Sequence, residues 1–262
     1  MAVKTQLISS FEKLPSNKKL YFASDFHLGA PDPSESLARE KKIIKWLQHV
    51  SKDAAAIFLV GDIFDFWFEY NQAVPKGFVR FQGKIAELVD HGIPIYFFIG
   101  NHDLWMNDYF PSELGVKVVK HPIVLKVGTH RLFVGHGDGL GPGDHFYKAV
   151  KKVFTNKVAQ WFFQWLHPNA GISMAHFWSR KSREADEKSN YKPEGDEEPL
   201  FHFSSEVESK EHHDFYIFGH SHQSAELSIS ANSLYLNLGD WIKESKYLEY
   251  DGKKALLKTF NG

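Results

Sequence analysis

The chain has 262 residues, of which 43% are hydrophobic and 24% charged, with a formal net charge of −1. Its size supports one sizeable core, its composition excludes global disorder, and its near-neutral charge gives no whole-protein field toward nucleic acid. Cysteine is absent, which excludes disulfides and thiolate ligands and suits a reducing compartment.

No apolar run reaches the roughly 20 residues of a spanning helix, and the N-terminal MAVKTQLISSFEKLPSNKKL lacks the apolar stretch of a signal peptide. A cytoplasmic protein is expected.

The first strand is expected at KLYFAS, directly before Asp25 and His27. A helix over residues 34–50 follows, with Leu37, Ile44 and Leu47 at helical spacing and Ser34 as a candidate N-cap. AAAIFLVG is the next strand and precedes Asp62 and Asp65. The run from Pro75 to His91 carries Phe78, Phe81, Ile85 and Leu88 on a helical stripe that Gly92 stops. IPIYFFIG precedes Asn101, His102 and Asp103, and HRLFVG precedes His136 and Asp138. Strands alternating with helices predict an α/β fold with polar loops gathered at one sheet edge.

Residues 140–190 then show helical signals without strand signals, and are expected to form a helical cap inserted into a single domain spanning 1–262. The stretch DEKSNYKPEGDEEP, residues 186–199, reads as a mobile acidic loop. DFYIFG precedes His220 and His222. Four short strands close the chain: AELSIS, SLYLNLG, KYLEYDG and KKALLKTF. They are expected in a second sheet packed on the first, the last two joined as a hairpin at Asp251-Gly252.

Each polar cluster alone has an ordinary explanation. Asp-x-His is common in loops, Asp62 and Asp65 could cap a helix, and His102 could serve only to fix Asn101. Five such clusters, each directly after an apolar run, argue otherwise. Buried singly, these groups would each cost several kcal/mol. A metal centre turns their lone pairs into ligands. The inventory exceeds one tetrahedral ion and fits two divalent cations sharing a carboxylate, with Mn²⁺, Fe or Zn²⁺ suited to imidazole, carboxylate and amide oxygen. Such a pair can grip phosphate oxygens and acidify a shared water for attack on phosphorus.

The five clusters, Asp25-Phe26-His27, Gly61-Asp62-Ile63-Phe64-Asp65, Gly100-Asn101-His102-Asp103, Gly135-His136 and Gly219-His220-Ser221-His222, resemble the signature of the calcineurin-like metallophosphoesterases. That resemblance implies a four-layer αββα sandwich with a helical cap insertion. It implies Asp25, His27, Asp62 and His222 on one ion and Asp62, Asn101, His136 and His220 on the other. It further implies that His102 faces the phosphate and is oriented by Asp65, both serving catalysis, while Asp103 is a structural turn acid.

SDFHLG, VGDIFDFW, GHGDGL and the helical insertion are similar to the UDP-2,3-diacylglucosamine pyrophosphatases of lipid A biosynthesis. Those enzymes release UMP and 2,3-diacylglucosamine 1-phosphate, use Mn²⁺ and attach peripherally to the cytoplasmic face of the inner membrane. The resemblance implies a nucleotide-linked acylated sugar as partner, with Asn101, Arg80, Lys148, Lys152, Phe154, Trp161 and Arg180 as candidate substrate contacts. Three departures stand out: His102 occupies a position where that group has Arg, GHSHQS replaces its usual last motif, and a Gly-rich LGPGD follows His136-Gly137-Asp138 where that group often has Cys and further acids. The residues by themselves also fit a metallophosphoesterase for another nucleotide, a sugar phosphate or a small phosphodiester. A partner-binding scaffold of the same fold would be expected to have lost several of these ligands. No basic tract interleaved with aromatics is long enough to require a nucleic-acid path.

Overall fold

The computed structural model describes residues 6–141, 154–174, 177, 181 and 195–262. In β2 (Lys19–Ala23), Leu20 and Phe22 point to one side and Tyr21 and Ala23 to the other, and all four are buried. Such a strand needs cover on both faces. On one face α1 (Pro33–Val50) brings Ile43, Trp46 and Leu47 over Tyr21 and Ala23. The same layer lies over Ile57 and Leu59 of β3 (Ala54–Val60). It continues with Phe81 and Ile85 of α2 (Val79–Asp90), Phe97 of β4 (Ile95–Phe98) and Phe110 of α3 (Tyr109–Leu114).

The other face meets a second sheet. Leu20, Phe22, Phe58, Val60 and Phe98 pack against Ile123 and Leu125 of β6 (Ile123–Val127) and Leu132 and Val134 of β7 (His130–Val134). After β7 comes α4 (Lys157–Gln164), and then α5 (Pro199–Glu208), whose Leu200 and Phe203 cover the outside of the second sheet at Phe133, Tyr216, Phe218 and Tyr235. Helix, sheet, sheet, helix is the αββα sandwich.

The remaining strands are β1 (Gln6–Phe11), β5 (Lys117–Val119), β8 (Phe215–Phe218), β9 (Ser224–Ser230), β10 (Ser233–Leu238), β11 (Lys246–Tyr250) and β12 (Ala255–Thr259). One sheet runs β12-β11-β2-β3-β4-β5 and the other β1-β6-β7-β8-β10-β9. β2, β3 and β4 are parallel neighbours, as are β7 and β8. The residues that follow β2, β3 and β4 therefore leave one sheet at a common edge, and those that follow β7 and β8 leave the other sheet at a common edge.

The last four strands do not form a sheet of their own. β9 and β10 extend the sheet of β8, while the β11–β12 hairpin joins the other sheet through β2. Splitting them lets Leu236 and Leu248 fill one inter-sheet core from opposite sides. The cap of α1 is Asp32, not Ser34: its carboxylate accepts from Ser34 N at 2.7 Å and Glu35 N at 3.0 Å, and Pro33 pre-sets the first turn. α2 begins at Val79 rather than at Pro75, because Gly77 (φ 121°) and Phe78 (φ 55°) are left-handed. The acidic stretch is ordered at its end: residues 195–197 form a 3₁₀ turn and Pro199 opens α5. The rest of that stretch lies outside the described residues.

Tyr216 and Phe133 enclose His213, which is 1% exposed, its ring edge-on to Phe133 with centroids 5.6 Å apart. Burial, seconded by the charge of Arg131, lowers its pKa below the ordinary histidine value, against the pull of Glu211 and Glu208. The folded state thus binds fewer protons than the unfolded chain just below the ordinary value. This contribution to stability is present above about pH 6.5 and lost as pH falls toward the depressed folded value. Urea midpoints should fall from pH 7.5 to pH 5.5 less steeply in His213→Asn than in the wild type. Equal slopes would show that His213 carries none of the acid sensitivity.

Candidate metal centre

Three of the five strand ends, those of β2, β3 and β8, turn through an unusual backbone. Asp25 (φ 54°), His27 (φ 43°), Asp62 (φ 51°), His220 (φ 71°) and His222 (φ 58°) are all left-handed, a conformation that L side chains rarely adopt. Neighbouring loops hold them there: Asp25 N donates to Gly61 O at 3.1 Å, His27 N to Asp62 O at 2.9 Å and Gly219 N to His136 O at 3.0 Å. Two glycines let the loops approach so closely. A Cβ on Gly100 would lie 2.2 Å from Asp62 Oδ1, and one on Gly61 would lie 2.4 Å from His136 Nδ1. Local strain of this kind persists only where surrounding structure over-determines it.

The side chains converge. Asp25, His27, Asp62 and His222 offer ligand atoms within 4.8 Å of one another, and so do His27, Asp65 and His102. His27 Nε2 is 3.0 Å from His222 Nε2 and 3.7 Å from both Asp25 Oδ1 and Asp62 Oδ2. On the other side of Asp62, its Oδ2 is 3.4 Å from His136 Nε2. Asn101 Oδ1 is 3.2 Å from that same nitrogen and 3.0 Å from His220 Nδ1. Asp62 therefore stands between two sets of donors.

The polar accounting fits bound cations. His136 Nδ1–H donates to Val60 O at 2.9 Å, which fixes the ring and aims Nε2 at Asp62 and Asn101. Asp25 Oδ1, Asp62 Oδ2 and His27 Nδ1 are buried without a hydrogen-bond partner. Two of those three atoms are carboxylate oxygens pointing into the cluster, an arrangement costly without a counter-charge.

Protonation tells the same story. Burial pushes the Asp25 carboxyl up, but the imidazoles of His222, 3.3 Å from Oδ1, and His27, 3.7 Å from it, outweigh burial and hold the pKa well below the ordinary range. Asp62 likewise lies below that range: burial raises it, and the charges of His136 and His102 outweigh the rise. His136 is raised to about 10, because the Asp62 carboxylate overcomes burial. His27 and His220 are lowered to about 4, each chiefly by burial. The mixture is two anions and a proton-holding imidazole in one dry space, and a cation can take over the role of that proton.

His102 donates its backbone N–H to Asp62 Oδ1 at 2.9 Å, and its ring packs edge-on against His27. Its Nδ1 is 3.0 Å from the backbone oxygen of Asp65 and 3.8 Å from the Asp65 carboxylate. At hydrogen-bond range it is thus the Asp65 carbonyl that orients this ring. Asp103 is fully buried and ties two strand ends together, accepting from Gly100 N at 2.7 Å and Ile63 N at 2.9 Å. Burial and the Asp62 charge raise it to about 7.

The expected substrate contacts are scattered. Arg80 is exposed in the first turn of α2. Phe154 packs against Trp105 with its ring tilted and centroids 5.4 Å apart, and its carbonyl accepts from the Trp105 indole. Trp161 is 52% exposed. Lys148, Lys152 and Arg180 lie outside the described residues. Of the aromatics on α4, Phe163 turns inward onto Phe68 (4.7 Å) and Trp105 (4.8 Å). Trp161, Phe162 and Trp165 face outward.

Asn237 and Asp138 had no assigned place in the expected site. Asn237 Nδ2 donates to Gly219 O at 2.9 Å and to Glu198 at 3.1 Å, pinning the loop that carries His220. A lone amide inside the apolar run SLYLNLG was its available signal. Asp138, 8% exposed just past His136, adds to the negative field that raises His136.

A family model of calcineurin-like phosphoesterases matches residues 18–224. The chain belongs to that family. Its site is accordingly that of a metal-dependent phosphoric ester hydrolase. Among its relatives, the UDP-2,3-diacylglucosamine hydrolase of Porphyromonas gingivalis is 36% identical over 260 residues, covering 92% of this chain and 97% of the other. Those of Actinobacillus succinogenes and Proteus mirabilis are 26% and 27% identical over 232 and 243 residues, covering 88% and 91% of this chain and 95% and 98% of theirs.

Proposed function

We propose that the protein is a metal-dependent pyrophosphatase that hydrolyses UDP-2,3-diacylglucosamine to 2,3-diacylglucosamine 1-phosphate and UMP. The observation carrying this reading is Asp62 Oδ2, buried and unpartnered between two groups of ligands. Asp25, His27, Asp62 and His222 would hold one divalent cation and Asp62, Asn101, His136 and His220 a second. When bound, such a pair polarises phosphoryl oxygens and acidifies water at neutral pH. The hard oxygens and imidazoles suit Mn²⁺.

The protein's own groups do the rest. His136 is kept in one orientation by the Val60 carbonyl. Asn101 contributes an amide oxygen that carries no charge and needs no deprotonation. In its imidazolium form His102, with Nδ1–H donated to the Asp65 carbonyl, would offer Nε2–H to a phosphoryl oxygen. Asp103 and the glycines at positions 61 and 100 keep the loops at contact distance.

A groove of about 400 Å³ supports the acylated substrate. It lies between the segment after Asp65, through Phe66, Val74 and Phe78, and the helical residues 168–174, through Pro168 and Ile172. A largely apolar cleft of that size suits an acyl chain. Trp161, Phe162, Trp165 and Leu166 form an exposed apolar face, and no helix among the described residues is long and apolar enough to cross a membrane. This supports peripheral contact with the bilayer surface that holds the lipid substrate.

With Mn²⁺ and detergent-dispersed UDP-2,3-diacylglucosamine, the purified protein should release UMP. Failure there, with fast turnover of bis(p-nitrophenyl) phosphate, would replace this reading with a soluble phosphodiesterase.

A further inference from the structure

Beyond β2 the chain runs through Asp25, Phe26 and His27 to Ala30 beside residues 61–65, which bond His27 N, Leu28 N and Leu28 O, while Ala30 N donates to His27 O at 3.1 Å. Buried carbonyls need donors. One side chain donates to the carbonyls of Phe26, His27 and Ala30 together. Arg39 of α1, only 7% exposed, donates Nε–H to Phe26 O at 2.7 Å and Nη2–H to His27 O at 2.7 Å, and Nη2 also bonds Ala30 O. Three residues earlier on α1, Ser36 Oγ accepts from Gly29 N at 2.7 Å. The helix thus grips the loop through donors and an acceptor together.

The loop needs such a grip. Asp25 and His27 are both left-handed, at φ 54° and 43°, and an unrestrained chain would relax toward ordinary backbone. Phe26 anchors between them, its ring 5.1 Å from Trp241 and 6.1 Å from Trp46. That anchor fixes where the loop sits. The guanidinium fixes how the peptide planes on either side of His27 are turned, and hence where the His27 imidazole points. A planar fork of donors can serve several carbonyls at fixed angles, and an ammonium cannot reproduce that geometry.

We infer that Arg39 is a positioning residue for the metal centre: it sets the backbone on which Asp25 and His27 meet the first cation. This rests on the ligand assignment proposed above. A role confined to stability would lower the melting temperature and leave metal affinity per folded molecule unchanged. A positioning role weakens one ion selectively, by the roughly 10- to 100-fold typical of outer partners of metal ligands.

Calorimetric Mn²⁺ titration of chelator-treated wild type, Arg39→Gln and Arg39→Lys, each checked for fold by circular dichroism, tests this. The expected result is two ions in every folded protein, with one bound roughly 10- to 100-fold more weakly in both variants and the other unchanged. Wild-type affinity for both ions in a folded Arg39 variant would overturn the inference. Should Arg39→Gln fail to fold, Arg39→Lys and Ser36→Ala decide the matter. Ser36→Ala loosens the same loop without burying a charge, and should weaken the same ion to a smaller degree. If it and Arg39→Lys both bind two ions as tightly as wild type, the inference falls. The proposed substrate fails separately, if wild type binds two ions tightly yet leaves UDP-2,3-diacylglucosamine intact.

Discussion

Asp62→Asn should lower turnover by at least about a thousandfold while leaving the protein folded. The two oxygens of this side chain do different work. Oδ1 accepts the His102 backbone N–H at 2.9 Å, and an asparagine oxygen can accept the same bond. Oδ2 faces His136 Nε2 at 3.4 Å and His27 Nε2 at 3.7 Å and has no hydrogen-bond partner. In the variant an NH₂ group replaces it, a donor with no charge. On the proposed ligand assignment, each cation would then lose its shared anion, and with it the charge that would hold two cations close together. The steady-state rate of UMP release, read beside the melting curve and the bound metal per chain, checks this. Activity within tenfold of wild type, with two ions retained, would show that Asp62 is not the bridge.

Removing the metal should cost stability on a scale seldom reached by one surface substitution. Asp25 Oδ1 and Asp62 Oδ2 are buried without partners, and the Nε2 atoms of His27 and His222 face each other at 3.0 Å. A ligand at a thousand times its dissociation constant stabilises the folded state by about 4 kcal/mol, and each kcal/mol moves Tm by about 2–4 °C in a chain approaching this size. Dialysis against a chelator should therefore lower Tm by about 10 °C or more, and Mn²⁺ should restore it. An unchanged Tm after complete chelation would mean that the cluster is stable without metal.

The acids and histidines that converge in the cluster were legible because they break a rule of composition. An apolar strand buried on both faces ends, and in place of a neutral turn comes a carboxylate or imidazole, as at Asp25 after KLYFAS and His136 after HRLFVG. Five repetitions pointed to one edge, and the parallel pairing of β2 with β3 and β4, and of β7 with β8, supplies that edge. Sheet membership was less legible. An alternating strand such as β10 carries the same pattern whichever sheet it joins, and only its pairing with β8 decides. The strands β1, β5 and β6 went unmarked, since no cluster of acids and histidines follows them.

Backbone geometry was hidden altogether. Nothing in the letters D-F-H announces that both ends of the triplet are left-handed, because that state is imposed from outside by the carbonyls of Gly61 and Asp62 and by Arg39. Arg39 itself reads as one more solvated charge in the run AREKK. The aromatics of α4 look alike in sequence, whereas the fold divides them: Phe163 docks on Phe68 and Trp105 while Trp161 and Trp165 face outward. Periodicity finds an apolar stripe, and only packing says which part of it is covered.

The most direct test is anomalous diffraction at the manganese edge from crystals grown with Mn²⁺. Two peaks are expected, one among Asp25, His27 and His222 and one among Asn101, His136 and His220, with the Asp62 carboxylate reaching both. A single peak, or a pair that Asp62 does not join, would contradict the account.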